Sequence, residues 1–493
     1  MRAFFVQGPV RAAVAAALFG ASACAALERP EVEAGVTRAA VFFRERVSTE
    51  GGYLWAYSED LKLREGENVA DDRTVWVQPP GTPAVGLAFL RAWRVTRDAY
   101  CLDAAKAAGL CLVRGQLRSG GWPYAIPFDA GRRAKLDLRT EPASKSKSVK
   151  RYSVLDDNTT QEALRFLVLL DEALAFREAT VHEAAQYGLS SLLKVQFPNG
   201  AFPQVFMPDV SYDPAAYPVK PAEYPPEGTE PTHEKDYHVF YTFNDNLMRD
   251  INRLLFTAWN VYSNDTYLAA AQRVGRFMKL AQLPEPQPAW AQQYDFQMRP
   301  CWARKFEPAS VTGGESQGIL RSLGELFLAT GDPAYLEPVQ RAIAYLKRSR
   351  LPDGRLARFY ELRTNRPLYF TKDYKLTFSD ADVPTHYAFK VDYAVDEAWL
   401  TSLASLSEAE RQRQWRHLLK GGCRGELSRG SADAAERALK ALDAQGRWVT
   451  EEKLKSAKGE RVRAISCEVF VKNMAALCAR SEERRVGKEC RSR

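Results

Sequence analysis

Two short acidic runs hold the first chemistry in this chain. LDDNTTQEALRFL at 155 to 167 and YTFNDNLMRDI at 241 to 251 each set Asp and Asn where a helical pattern begins. Backbone N–H groups are free at such a point, and a single Asp suffices to cap them. Each run carries more oxygen ligands than one cap needs, and together they offer the clustered carboxylates that calcium prefers. A second constellation is basic, WARKFEP at 302 to 308 and ARFYELRTNRPLYFTKD at 357 to 373. It places Arg304, Lys305, Arg358, Arg363, Arg366 and Lys372 among Trp302, Phe306, Phe359, Tyr360 and Tyr369. Guanidinium groups bind carboxylates bidentately and aromatic rings stack on pyranose faces, so the set suits a polyanionic sugar. Each cluster has a plainer reading when taken alone, simple capping for the first and a solvated face with snorkelling stems for the second. Their occurrence in one chain favours chemistry.

The elements that must position these residues have helical periodicity: Val85 to Val95, Leu102 to Val113, Ala163 to Ala175, Glu183 to Leu193, Leu247 to Val261, Tyr267 to Ala281, Ile319 to Leu328 and Leu336 to Leu346. They come in pairs. The loops inside the pairs, TRDAY at 96 to 100, SNDTY at 263 to 267 and TGDPAY at 330 to 335, each put a capping Asp two or three residues before a Tyr. The loops leaving the pairs, LRSGGWPYAI at 117, QFPNGAFPQV at 196 and RLPDGRLARFY at 350, each put a turn-forming Gly before an extended segment. A helix pair, a Gly turn and a short extended return, repeated at about 70 to 90 residues, predicts an all-α fold, an α/α toroid. This is an incomplete barrel of helix pairs with long irregular loops and short extended segments. The two acidic runs fall at equivalent points of that repeat, so loops at one rim bring them together. Seven prolines in Met207 to Glu234 predict a long ordered loop or lid within one domain. Leu400 to Cys478 reads as helical in composition.

DDNTTQEALRFL, KVQFPNGAFPQV, YTFND, AWAQQYDFQMRPCWARKFEP, SVTGGESQGI and RFYELRTNRPLYF resemble, in order, the successive motifs of polysaccharide lyase family 10 pectate lyases. The resemblance covers roughly Val75 to Val391. It implies calcium-assisted β-elimination on polygalacturonate with an arginine as base. Arg304 in WARKFE looks like the catalytic arginine, and Asp245 in FND like the calcium-binding aspartate. Asp156 or Asp157 matches the acidic motif at the bond-cleaving subsite and is a further metal candidate; the register between them stays open. Arg358 falls on a substrate-binding arginine, and Lys372 stands where another arginine is expected. Arg366, Trp302, Tyr360 and Asn244 complete the expected substrate contacts, with Arg366 alternatively a structural ion-pair partner and Asn244 alternatively a cap or a neighbour of the metal. An arginine remains protonated unless its pKa is depressed, so the resemblance also implies an alkaline optimum.

The ends of the chain alter its charge. Arg2 and Arg11, the apolar run Val14 to Phe19 and small residues offering cleavage before Cys24 or Ala26 read as a signal peptide at 1–25. RSEERRVGKECRSR at 480–493 reads as a sequencing-adapter scar, leaving 26–479 as a single catalytic domain. The net charge of +8, less +3 for the tail and +2 for the leader, leaves +3. That balance does not point to nucleic acid, and no stretch has the roughly 18 to 20 continuous apolar residues of a membrane span. The expected product is a secreted or periplasmic monomer acting on polygalacturonate or a related acidic polysaccharide. Cys101 and Cys111, ten apart on one helical pattern, cannot bridge each other there. No histidine of the five lies in a GxSxG or HExxH setting. Three rival functions remain: a lyase on another uronate polymer, an inverting glycoside hydrolase recruiting Asp245 with Asp157 or Glu307, and a non-catalytic pectin-binding protein.

Overall fold

The computed structural model describes residues 29–143, 148–207, 212, 213, 215–229, 233, 235–419 and 429–489. The expected leader with Cys24, parts of the Pro-rich segment, Cys423 and Cys490 lie outside the described residues, as do the side chains beyond Ala479.

Every expected helix forms. In chain order the helices are α1 (Arg29–Phe42), α2 (Thr82–Thr96), α3 (Ala99–Gly115), α4 (Ala130–Arg133), α5 (Thr159–Ala173), α6 (Ala179–Lys194) and α7 (Leu247–Tyr262). There follow α8 (Asp265–Leu280), α9 (Glu315–Thr330), α10 (Glu337–Arg348), α11 (Glu397–Ser402), α12 (Glu408–Leu419), α13 (Arg429–Ala441) and α14 (Cys467–Glu489). The intra-pair caps are nearly as expected: Asp98 accepts from Tyr100 N and Asp332 from Ala334 N. In SNDTY the cap is Asn264, which accepts from Thr266 N; Asp265 is already helical and accepts the Trp259 indole N–H instead.

Pairs α2/α3, α5/α6, α7/α8 and α9/α10 pack as antiparallel units, and α2, α5, α7 and α9 pack in series as the inner wall of the α/α toroid. Before each inner helix a short strand pairs antiparallel with the strand that follows its outer partner: Thr74–Trp76 with Ala125–Pro127, Ser153–Val154 with Val205–Phe206, Tyr241–Thr242 with Gln293–Tyr294, and Ser310–Thr312 with Phe359–Glu361. Each unit therefore returns to its own start, which sets the N-termini of the inner helices along one rim.

The turns that make this return are clamped by a repeated side-chain device. Gln116, Gln196 and Gln282 each donate through Nε2 to two carbonyls, one in the turn and one on the next outer helix (α6, α8 or α10): Gly120 and Ala184, Gly200 and Ala270, Pro288 and Pro338. Their Oε1 atoms accept from Arg139, Arg273 and Arg341 at 2.7–2.8 Å. Gly200 has φ +101°, and a Cβ there would collide with the Arg273 carbonyl, so only glycine fits.

The C-terminal region is not wholly helical. Val449–Lys453 and Arg461–Ser466 form a hairpin, and the second strand pairs with Ala56–Ser58 from the other end of the chain. The last residues of this strand are covered on both faces: Ala464 packs in a small cluster with Ala56 and Leu454, and its neighbour Ile465 faces the opposite way into the main core. α14 then packs on α1 and α2, with Phe470 stacked on Phe43 at 3.7 Å between centroids. One continuous apolar core runs from Val32 to Cys478. Cys101, Cys111 and Cys467 are buried thiols within it, their pKa values raised by desolvation. Among the described residues, no helix is long and apolar enough to cross a membrane.

If the glutamine clamps hold the rim, Gln196→Leu leaves two carbonyls and a guanidinium unpaired and lowers stability by about 2 to 3 kcal/mol. Urea denaturation measures this, and an unchanged midpoint would mean that water replaces the clamp.

Candidate active site

The two acidic runs have the same backbone. Asp157 and Asn158 (φ 50° and 57°) and Asp245 and Asn246 (φ 49° and 61°) are successive left-handed residues leading into α5 and α7. Asp and Asn tolerate this region better than other non-glycine residues, which explains the composition of both runs. Neither Asn158 nor Asn246 caps its helix through its side chain. The carboxylates of the two runs accept from side chains instead, from Gln78, Tyr124, Asn244 and Arg304, and the turns bring them together. One oxygen from each of Asp156, Asp157 and Asp245 lies within 4.8 Å of the others.

Arg304 sits against this triad. Its Nη2 is 2.9 Å from Asp156 Oδ2 and 3.9 Å from Asp245 Oδ2, and its Nε is 3.5 Å from Glu307 Oε2. Tyr124 donates to Asp156 at 3.1 Å and Gln78 to Asp157 at 2.9 Å. The Asn244 amide donates to Asp156 at 3.2 Å and to Asp245 at 2.8 Å. Gln292 donates to Asn244, fixing that amide's orientation. The two aspartates of the acidic motif therefore separate: Asp156 faces the guanidinium, while Asp157 is the positional equivalent of Asp245 and shares its setting.

Crowding shows in the titration of the site. Burial, and then the charges of Asp156, Glu315 and Asp157, push Asp245 up to about 8 against the opposing pull of Arg304. Burial and Asp156 push Asp157 up to about 6, again opposed by Arg304. Burial pulls the Arg304 guanidinium down, but Glu307, Asp156 and Asp245 outweigh it and hold the group above its ordinary value. Carboxylates surround the guanidinium and hold it protonated in the cation-free protein.

The donor set fits a hard divalent cation. It is all oxygen and brings up to three negative charges, whose crowding pushes the pKa values of Asp157 and Asp245 up.

Of the expected substrate contacts, Arg358 reaches this centre, and Trp302 lies beside it with its ring packed edge-on to Phe370. Arg358 pairs with Glu315 at 3.4 Å and lies 3.4 Å from Tyr387 OH, which in turn donates to Glu307 at 3.2 Å. Trp302 donates its indole N–H to the Arg304 carbonyl at 2.9 Å. Tyr360 does not: it is 1% exposed, and its hydroxyl accepts from Ala357 N and donates to Ser349 O. The same hydroxyl-to-backbone contact recurs at Tyr57 and Tyr294, so Tyr360 belongs to the core of the repeat. Asn244, also 1% exposed, spends its amide on the carboxylates and orients them instead of meeting a sugar. Arg366 is spent on Glu361 and the Phe378 ring, Lys372 on Asp382, and Arg363 on the Pro225 carbonyl.

Sequence reasoning missed Gln78, Tyr124, Gln292 and Tyr387. Gln78 carried a signal, since it stands just before α2 as the acidic runs stand before α5 and α7. The others are long-range contacts without local signature.

Residues 116–356 match the sequence model described as pectic acid lyase. No curated protein matches the chain. Among solved structures, a mutant of the family 10 polysaccharide lyase from Cellvibrio cellulosa in complex with trigalacturonic acid is similar, with 18% identity and a TM-score of 0.42, over 66% of this chain and 98% of that one. A D-mannose isomerase is similar at 14% identity and a TM-score of 0.45, over 92% and 98%. An alpha-mannanase from Bacteroides thetaiotaomicron is similar at 12% and 0.44, over 94% and 98%.

The acidic triad makes a signed prediction. A carboxyl raised in the folded state binds protons that the unfolded chain, with pKa 3.8, has lost, so cation-free stability falls as pH rises from about 4 towards 8. Melting curves of wild type and Asp245→Asn isolate this term: the wild type should lose more stability across that range. A divalent chloride should raise the wild-type melting temperature more at pH 8 than at pH 5, and leave Asp245→Asn little changed. Equal shifts in both proteins would place the cation elsewhere.

Proposed function

We propose, for a polysaccharide lyase whose residues 116–356 belong to the pectic acid lyase family, that the substrate is polygalacturonate and that cleavage is calcium-assisted β-elimination. The observation that carries this reading is Arg304 within 2.9 Å of Asp156 inside a triad of carboxylates. Asp157 and Asp245 would hold calcium, with Asp156 beside it. Bound there, the ion would supply positive charge to the substrate carboxylate as enolate character develops.

The remaining steps fall to side chains. Arg358 and the Trp302 ring meet the uronate chain, and Arg304 faces the sugar at the centre. The C5 proton passes to a nitrogen of Arg304, its bonding electrons form the C4–C5 double bond, and the C4–oxygen bond breaks with its electron pair leaving on oxygen. Arg304 can accept that proton only when the carboxylates that now hold it protonated are neutralised, and only at high pH. The same raised pKa favours a second role, a protonated Arg304 stabilising the enolate. In either case Asn244, Gln78 and Tyr124 hold the carboxylates in place. Residues 26–479 form the catalytic toroid in this reading, and the leader at 1–25 exports it.

Inverting hydrolysis finds less support. It needs two carboxyl groups roughly 6.5 to 9.5 Å apart with water between them. The triad oxygens lie within 4.8 Å, and Glu307 is 1% exposed.

Polygalacturonate at alkaline pH should give an ultraviolet-absorbing unsaturated product with calcium and none with a chelator. Arg304→Ala should reduce the rate by about 10³-fold or more. Arg304→Lys should retain activity with its alkaline limb moved to lower pH if residue 304 is the base, since lysine titrates near 10.4. An unmoved profile assigns Arg304 to charge stabilisation. New reducing ends without absorbance would replace elimination by hydrolysis.

A further inference from the structure

The groove is asymmetric about Arg304. On the Asp245 side lies a cavity of about 350 Å³ lined by Arg358, Arg249 and Arg321. On the Asp156 side lies a larger one of about 800 Å³, walled by Tyr124, Tyr152, Tyr237 and Phe296, with Lys150 as its cation. The Lys150 ammonium rests 4.9 Å from the centroid of the Tyr152 ring.

Gln204 lines this second cavity, is 3% exposed, and has an amide Nε2 with no hydrogen-bond partner among the described residues. Its backbone is held on both sides. Its carbonyl accepts from Leu155 N at 2.7 Å and Asp156 N at 3.2 Å, and its N–H donates to His238 O at 3.0 Å. An unmet donor is thus fixed beside the reacting centre in an aromatic pocket. Leaving such a donor buried and unpaired costs about 1 to 3 kcal/mol, which a ligand acceptor would recover.

We propose that this cavity is a pyranose subsite taking a methyl-esterified, uncharged uronate unit next to the one cleaved. The proposal rests on the uronate-chain substrate argued above. Ring faces of Tyr152, Tyr237 and Phe296 suit the apolar face of a sugar. A carboxylate desolvated among them would lose more hydration than an ester does, whereas the other flank holds guanidinium groups, Arg358, Arg249 and Arg321, that can share their donors between Glu315, Asp250 and Glu325 and an incoming carboxylate. The Gln204 amide donates to the ester carbonyl or a ring hydroxyl.

The test compares kcat/KM on polygalacturonate and on half-methyl-esterified pectin for wild type, Gln204→Leu and Tyr152→Ala. The wild type should cleave the esterified chain at least as well as the free one. Each variant should lose about tenfold on the esterified chain, through KM with kcat preserved, and less on polygalacturonate. Tyr152 is an exposed side chain, so its variant keeps the melting temperature of the wild type and reads the subsite even if Gln204→Leu folds poorly. A wild type active on polygalacturonate but not on the esterified chain overturns the subsite alone, as do variants losing equally on both. Absence of unsaturated product from both chains overturns the lyase reading, and the subsite falls with it.

Discussion

Three carboxylates with oxygens inside 4.8 Å of one another repel, and a folded chain keeps them there only by surrounding them with positive charge and directed donors. The rest of the rim follows from this requirement. Arg304 supplies a fixed charge, and Gln78, Tyr124 and Asn244 supply donors that point the oxygens inward. What remains uncompensated appears as protonation, with Asp245 raised to about 8 and Asp157 to about 6. A cation taken up by such a site would displace those protons, so its affinity would be coupled to pH.

The toroid meets that requirement by repetition. Identical turns before α5 and α7 aim identical atoms from neighbouring inner helices at a common point, with no side chain needed to bridge a long distance. The glutamine clamps hold the return turns, and the strand pair joining Ala56–Ser58 to Arg461–Ser466 fastens the two ends of the chain together. Strain in the successive left-handed residues is borne locally, by Asp and Asn, at the point where the carboxylates are aimed.

Charge in the groove is divided by pairing. Of the basic residues that looked alike in sequence, Arg304 and Arg358 are drawn into carboxylates at the centre, whereas Arg366 and Lys372 pair with nearby Glu361 and Asp382 and Arg363 reaches the Pro225 carbonyl. A guanidinium closes on whichever acceptor the backbone brings within reach, so composition alone does not sort functional from structural arginines.

Helix pairing, the Gly turns and the two acidic runs were legible because each depends on local rules: apolar periodicity, left-handed glycine, and Asp or Asn where the backbone turns into a helix. The convergence of the two runs was also legible, because a repeat maps equal sequence positions onto equal places. Tertiary structure alone decided that Tyr360 is core and that Asn244 orients carboxylates. It alone decided that Asp156, not Asp157, faces Arg304, and that charged residues near the C-terminus form a hairpin whose second strand pairs with one some 400 residues earlier. These outcomes depend on burial and on partners distant in sequence, such as Arg304 and Asp156, 148 residues apart. Local propensity carries no information about which distant group will fill a side chain's remaining hydrogen bond; only the packed chain brings the two together.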